Sequence, residues 1–112
     1  MHYRILTIPE FDKCAKKLSK RYKLLKNDLE KLVEDLKNNP KLGSHLFNNC
    51  YKIRLSNSSI PTGKSKGFRV ITYHIDEENN IYLLSIYSKS DRETISDLEV
   101  CLLYTSPSPR DS

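Results

Sequence analysis

The stretch "PTGKSKGFRV", residues 61–70, contains Gly63-Lys64-Ser65, the tripeptide at the centre of a nucleotide-binding P-loop. A P-loop also needs a glycine five positions before Gly63 and a helix directly after the serine, because the helix N-terminus helps to hold the phosphates. This chain has Ser58 at the first position, and the residues after Ser65 have the pattern of a strand. The sequence therefore argues against a nucleoside triphosphate site, and we expect no nucleotide cofactor.

The charge pattern points to a different polyanion. No Asp or Glu occurs between Leu36 and Ile75. The basic residues of this window are Lys37, Lys41, Lys52, Arg54, Lys64, Lys66 and Arg69. A long block of one sign creates a positive field that attracts polyanions, above all nucleic acid. Two alternatives are an ordinary solvated surface and a face that an acidic protein partner covers.

The first third of the chain predicts a strand and two helices. "YRILTI", residues 3–8, is apolar and β-branched and stops at Pro9, which is typical of a short strand followed by a helix with proline near its start. From Phe11 to Leu36 the apolar residues recur at spacings of four and three, the pattern of an amphipathic helix. A capping signal at Asn27 and Glu30 favours a break near residues 22–27. We therefore predict a hairpin of two helices that ends at residues 38–40, "NNP".

From residue 50 the apolar period becomes two, which indicates strands. "CYKIRLS" places Ile53 and Leu55 on one face with Tyr51, and Lys52 and Arg54 on the other. "GFRVITYHI" and "NIYLLSIYS" are two further strands, and the turn "DEENN" joins them as a hairpin. We expect an α+β fold with an N-terminal strand, a two-helix hairpin and an antiparallel three-stranded sheet.

The length of 112 residues fits one domain, which we place at residues 1–100. "RETISDLEV" begins a C-terminal helix that "CLLYTSPSPRDS" truncates, so residues 101–112 are interpreted as a non-native or disordered tail. The cysteines at positions 14, 50 and 101 are widely spaced and are expected to be free thiols of a reducing cytosol. No window resembles a signal peptide or a membrane span, so we expect a cytoplasmic protein with no membrane partner.

Four short sequence segments resemble those of a known protein family. "NNPKLG", "YKIRL", "GKSKGFRVITYHI" and "IYLLSIYSKSD" occur in the order and spacing of the RelE/HigB-like branch of the RelE/ParE toxin superfamily, and the chain resembles that branch over residues 3–98. The resemblance implies a β-α-α-β-β-β fold with a C-terminal helix. It also implies an mRNA interferase, which is a metal-free endoribonuclease that cuts messenger RNA on the ribosome. The implied partners are mRNA, the ribosome and a cognate antitoxin that covers the basic face, and no cofactor is implied.

The same resemblance implies which residues form the catalytic site. Lys52, Arg54, Arg69 and Lys89 match the basic catalytic positions of the family, and Arg69, within "GFRV", matches its most characteristic arginine. Cleavage without a metal needs cationic donors where charge develops on the phosphate, a base for the 2′-hydroxyl and an acid for the leaving 5′-oxygen. An arginine can bind a phosphate with two hydrogen bonds, so even Arg69→Lys is expected to be damaging.

Several residues are candidates for the group that transfers protons. Many relatives carry Tyr or His toward the C-terminus, where this chain has Ile95. The candidates are Tyr87, which is in phase with Lys89, and His74 or a lysine, whereas His45 is placed in a loop. The lysines of the loop after the first cationic strand, Lys64 and Lys66, are expected to contact the RNA backbone.

Strict alternation sets Arg69 in phase with the apolar residues Ile71, Tyr73 and Ile75. We therefore expect Arg69 to lie at a rim or beyond a bulge, because otherwise it would not reach Lys52 and Arg54.

Two other functions remain open for this fold. One is a ParE-like toxin that poisons gyrase, a branch in which the cationic cluster is typically depleted, and the other is an inactive homologue that serves as an antitoxin-binding module.

Overall fold

The computed structural model describes residues 3–47, 49–59, 67–75 and 79–88, in which two helices pack on one face of a five-stranded sheet. The elements are β1 (Arg4–Thr7), α1 (Pro9–Arg21), α2 (Leu25–Asn38), β2 (Ser44–Phe47), β3 (Cys50–Leu55), β4 (Phe68–Ile75) and β5 (Asn80–Ser88). The strand order is β1-β5-β4-β3-β2, with β1 parallel to β5 and the other pairs antiparallel. The predicted α+β order is confirmed. The truncated C-terminal helix and the boundary at residue 100 lie outside the described residues.

The helical hairpin breaks where the sequence predicts. Pro9 is the first residue of α1, and the chain leaves the helix at Tyr22 before α2 begins at Leu25. The predicted cap is wrong in detail, because Asn27 lies inside α2 and no side chain caps its first residue. Instead, the Leu24 N–H donates to the Ser59 hydroxyl at 3.0 Å, so the segment after β3 supplies an acceptor to this helix terminus.

Strand β2 was not predicted. It pairs with β3 at the edge of the sheet, with Ser44 opposite Lys52 and His45 opposite Tyr51. The prediction of a loop at His45 is therefore wrong, and its ring makes an edge contact with Tyr51 at 5.3 Å between centroids. A strand of four residues at a sheet edge buries too little apolar surface to leave a clear period in the sequence.

The sheet buries apolar residues on both faces. On the helix-covered face, the main core joins residues such as Phe68 and Val70 of β4 to Leu25 and Leu32 of α2. On the opposite face, Ile71 packs with Cys50 and Leu84 in a second, smaller cluster. A central strand with two covered faces does not alternate between apolar and polar residues, which is the reason that β4 reads as almost continuously apolar.

Two glycines permit close approaches to β3. Gly43 has φ +100°, and a Cβ there would lie 2.4 Å from the Lys52 carbonyl oxygen. A Cβ on Gly67 would lie 2.2 Å from the Leu55 carbonyl oxygen. Both contacts are with backbone, so any side chain at either position would force β3 away from its neighbours.

The expectation of free thiols holds for Cys14, which is half-buried on α1. It is wrong for Cys50, which is disulfide-bonded. Neither of the described helices is long and apolar enough to cross a membrane.

Candidate functional site

Three predicted site residues lie in one row across the sheet. Arg54 on β3 is directly opposite Arg69 on β4, and Arg69 is directly opposite Tyr87 on β5. Residues that oppose each other on antiparallel strands point to the same face, and Lys52 shares that face because it is two positions before Arg54. We call these four residues, Lys52, Arg54, Arg69 and Tyr87, the cationic row. They lie on the face opposite to the helices, since Ile53 and Leu55 belong to the main core.

The expectation that Arg69 needs a rim or a bulge to reach its partners is wrong. The pairing of β3 with β4 is continuous from Cys50 opposite Tyr73 to Leu55 opposite Phe68. The irregularity of this region lies instead between β4 and β5, at Ile71 and Thr72. Arg69 is in phase with Ile71 and Tyr73 because those residues form the second apolar cluster on the same face as the cationic row.

The two arginines differ in exposure. Arg69 is 5 % exposed, and its Nη1 donates to the Phe68 carbonyl oxygen at 3.2 Å. Arg54 is exposed, and its side chain makes no hydrogen bond or ion pair in the described part of the chain. One guanidinium is therefore fixed within the sheet surface, and the other can turn its five N–H groups toward a ligand.

Strands β2 to β5 contain no Asp or Glu, so no acidic residue of these strands lies beside the row. Like charges directly opposite each other on neighbouring strands destabilise a sheet. A bound anion would relieve that repulsion, so the arrangement of Arg54 and Arg69 favours a phosphate-bearing ligand.

A groove of about 380 Å³ adjoins the row on its β2 side. It follows the part of β3 that extends past the end of β2, and Lys52 and Arg54 contribute to its wall. Its other lining residues are Leu32, Asp35, Leu42, Gly43, Ser44, Ile53 and Leu55. The groove therefore lies between α2 and the edge of β3, where Asp35 places a carboxylate in its wall.

His74 does not join the cationic row. It is five positions from Arg69, so alternation places it on the helix-covered face, where it is 2 % exposed and contacts the Tyr3 ring at 5.4 Å between centroids. The suggestion of His74 as a proton-transfer group is therefore wrong, because the row and the imidazole lie on opposite faces. The remaining predicted residues, Lys64, Lys66 and Lys89, lie outside the described residues.

A hydrogen-bonded anchor that was not predicted from the sequence joins α2 to the segment after β3. Asp28 is buried and accepts hydrogen bonds from both the backbone N–H and the hydroxyl of Ser58. Asn57 supports the same turn, because its side-chain oxygen accepts from the Ser59 N–H at 2.9 Å. One signal was available, since Asp28 falls in phase with the apolar residues Leu25 and Leu32 of α2.

No group of three or more His, Cys, Asp or Glu side chains suited to a metal ion occurs among the described residues. The chemistry available to the cationic row is that of guanidinium, ammonium and phenol groups. Such groups can bind a phosphodiester, stabilise negative charge on it and transfer a proton.

Solved structures with a similar fold belong to toxin–antitoxin systems. The intact RelBE complex of E. coli matches with a TM-score of 0.58 at 22% identity, covering 80% of this chain and 99% of that chain. The RelBE2 complex of Mycobacterium tuberculosis matches with a TM-score of 0.60 at 18% identity, covering 81% and 95%. A mutant of the E. coli toxin RelE in complex with an antitoxin RelBc peptide matches with a TM-score of 0.54 at 28% identity, covering 82% and 87%.

The comparison with curated proteins gave no match. The model of the ParE toxin family, described as the ParE toxin of the type II toxin–antitoxin system parDE, matches residues 7–93. That range includes both helices and the whole cationic row. The chain therefore belongs to the ParE toxin family, within the RelE/ParE superfamily of type II toxin–antitoxin toxins.

Proposed function

We propose that this toxin is a metal-free endoribonuclease that cleaves messenger RNA on the ribosome, in the cytoplasm. The observation that carries the proposal is the row of Arg54, Arg69 and Tyr87 across three neighbouring strands. A toxin that acts only by binding another protein has no need of two arginines placed directly opposite each other. A phosphodiester does use such a pair, because its charge offsets the repulsion between the guanidinium groups.

The chemistry follows from the residue types. The 2′-oxygen of the substrate attacks the adjacent phosphorus, the bond from phosphorus to the 5′-oxygen breaks, and the products carry a 2′,3′-cyclic phosphate and a 5′-hydroxyl. Arg69 and Arg54 donate to the non-bridging oxygens, whose negative charge grows in the transition state. Lys52 and Lys89 add positive charge, and Lys64 and Lys66 hold the flanking backbone.

Tyr87 is the side chain of the row suited to proton transfer. Its partner across the strands is Arg69, so its hydroxyl lies on the face where the phosphate would bind. A phenol beside guanidinium groups can take the proton of the 2′-hydroxyl or supply the proton that the 5′-oxygen needs.

The partner we propose is a cognate antitoxin that covers the basic face. Two structures of similar fold are RelBE complexes, and a third is RelE with an antitoxin peptide. A polypeptide that neutralises the cationic row would block phosphate binding directly, which is a physical basis for inhibition.

A gyrase-poisoning toxin is the second candidate, because the matching family model is that of ParE. The four basic positions predicted for the site, Lys52, Arg54, Arg69 and Lys89, favour RNA cleavage over it. An inactive homologue that only binds antitoxin is the third.

One experiment separates the three. The chain is expressed with and without Arg69→Ala, and growth, messenger integrity and covalent gyrase–DNA complexes are followed. RNA cleavage predicts growth arrest with fragmented messenger that Arg69→Ala abolishes. Arrest with intact messenger and trapped gyrase would reject it. If neither protein is harmful, assay of residues 1–100 with a native C-terminus distinguishes an inactive homologue from damage by the tail.

A further inference from the structure

The outward face of α1 is a second cationic surface that the proposed cleavage does not use. Phe11 and Leu18 of α1 are buried in the main core. At 100° per residue, the side of the helix opposite to them is occupied by Lys13, Lys16, Lys17 and Lys20, and all four are exposed. We call these four residues the lysine face.

The lysine face differs from an ordinary solvated helix surface. Each member has another lysine three or four positions away, and such like-charged pairs destabilise a helix. The acidic residues at the same spacings are Glu10, before Lys13, and Asp12, before Lys16, both in the first turn of α1. Within the described residues, none of the four ammonium groups has a hydrogen bond or an ion pair. The other exposed charges of the two helices are mixed in sign, namely Glu10, Asp12 and Arg21 on α1 and Lys26, Glu30, Lys31, Glu34, Asp35 and Lys37 on α2.

The type of ligand follows from what the surface lacks. Protein–protein interfaces bury an apolar centre and are depleted in lysine. The lysine face consists only of flexible ammonium groups, which suit the phosphate backbone of a nucleic acid and read no base sequence. From Lys13 to Lys20 the helix rises roughly 10 Å, over which one strand of a duplex carries about three phosphates.

The lysine face and the cationic row are on opposite sides of the molecule. The helices cover one face of the sheet, and the row lies on the other. A short RNA bound at the row therefore cannot reach the lysines of α1. Simultaneous use of both surfaces requires two RNA segments or a large folded RNA.

We infer that the lysine face of α1 binds the phosphate backbone of a folded RNA, separately from the strand that is cleaved. The choice of RNA over other polyanions rests on the proposed function. The surface contributes affinity and orientation, and it takes no part in the bond-breaking step.

The test measures binding of the full chain to a mixed-sequence RNA duplex that is 2′-O-methylated to prevent cleavage, over a range of salt concentrations. The variant carries Lys13→Gln, Lys16→Gln, Lys17→Gln and Lys20→Gln together. Its matched control carries Lys31→Gln and Lys37→Gln on α2, and a second variant changes the same four α1 lysines to Arg.

The quadruple Gln variant is expected to lose at least tenfold in duplex affinity, and its slope of log affinity against log salt should fall by about three to four. The α2 control and the Arg variant should bind as wild type does. Unfolding temperatures are compared first, and removal of like charges should not lower them.

Unchanged duplex binding by the quadruple Gln variant would overturn the inference. Loss of binding to a polyglutamate peptide with duplex binding intact would also overturn it, in favour of an acidic protein partner. If the wild-type chain cleaves no ribosome-bound messenger but the Gln variant still loses duplex affinity, the proposed nuclease fails and the lysine face stands as an RNA-binding surface.

Discussion

Arg54 and Arg69 lie directly opposite each other on adjacent antiparallel strands, one exposed and one buried. Like charges directly opposite each other on neighbouring strands repel each other, and two such arginines can share one phosphate. We therefore expect the pair to lower the stability of the free fold and to raise its affinity for a polyanion.

The first prediction concerns that stability. Arg54→Gln removes the repulsion and should raise the free energy of unfolding by about 0.5 kcal/mol, while cleavage of RNA falls. Urea denaturation measures the change. Arg4→Gln is the matched control, because Arg4 is an exposed strand cation that faces Asn80, and its stability should not change. A loss of stability in Arg54→Gln would show that the pair is not repulsive.

The second prediction concerns the anchor at Asp28. Asp28→Ala removes the acceptor of two hydrogen bonds from Ser58 and should cost about 2 kcal/mol of unfolding free energy. Glu34→Ala, an exposed acid on the same helix, should cost less than about 0.5 kcal/mol. Combined with Ser58→Ala in a double-mutant cycle, the two changes should be non-additive, and additivity would mean that the hydrogen bond from the Ser58 hydroxyl contributes nothing.

The third prediction concerns Gly67. A Cβ at this position would lie 2.2 Å from the Leu55 carbonyl oxygen, so Gly67→Ala should separate β3 from β4 next to Arg69 and cost about 1–3 kcal/mol. Thermal unfolding and cleavage should both be impaired. Ser56→Ala, at an exposed position near the same strand end, serves as the control. Wild-type stability in Gly67→Ala would contradict the close approach of the two backbones.

The fourth prediction concerns Tyr87. Tyr87→Phe keeps the ring and removes the hydroxyl, so it should slow cleavage about 10²-fold or more without a change in RNA affinity. Tyr82→Phe is the control, since Tyr82 packs against Tyr73 at the other end of the sheet. Single-turnover cleavage and a separate binding titration distinguish the two effects. Equal rates for Tyr87→Phe and wild type would move the proton-transfer role to another group.

The sequence predicted those features that depend on a local period. The apolar residues that recur from Phe11 to Leu36 predicted the two helices and the break between them. The alternation of Tyr51, Lys52 and Ile53 correctly predicted which residues lie on each face of β3. Alternation failed to predict the relation of Arg69 to Arg54, because strand register depends on long-range pairing. A second apolar cluster on the same face also made Arg69 look misplaced beside Ile71.

Other features of the fold have little or no local signal in the sequence. Strand β2 is short and lies at an edge, so its four residues carry little periodic signal. The anchor of Asp28 joins residues 30 positions apart in the chain, and no local pattern contains such a contact. The burial of His74 against Tyr3 likewise follows from the parallel pairing of β1 with β5, which brings the N-terminal segment to the central strands.

The most direct test of the central claim is the chemistry of the RNA ends. Ribosome-bound messenger is treated with the purified chain, with Arg69→Ala and with Arg69→Lys, and the new termini are mapped. The wild type should leave 5′-hydroxyl and 2′,3′-cyclic phosphate ends, Arg69→Ala should be about 10²–10³-fold slower, and Arg69→Lys should also be impaired. Intact messenger, or fragments with 5′-phosphate ends, would contradict cleavage by the arginine pair.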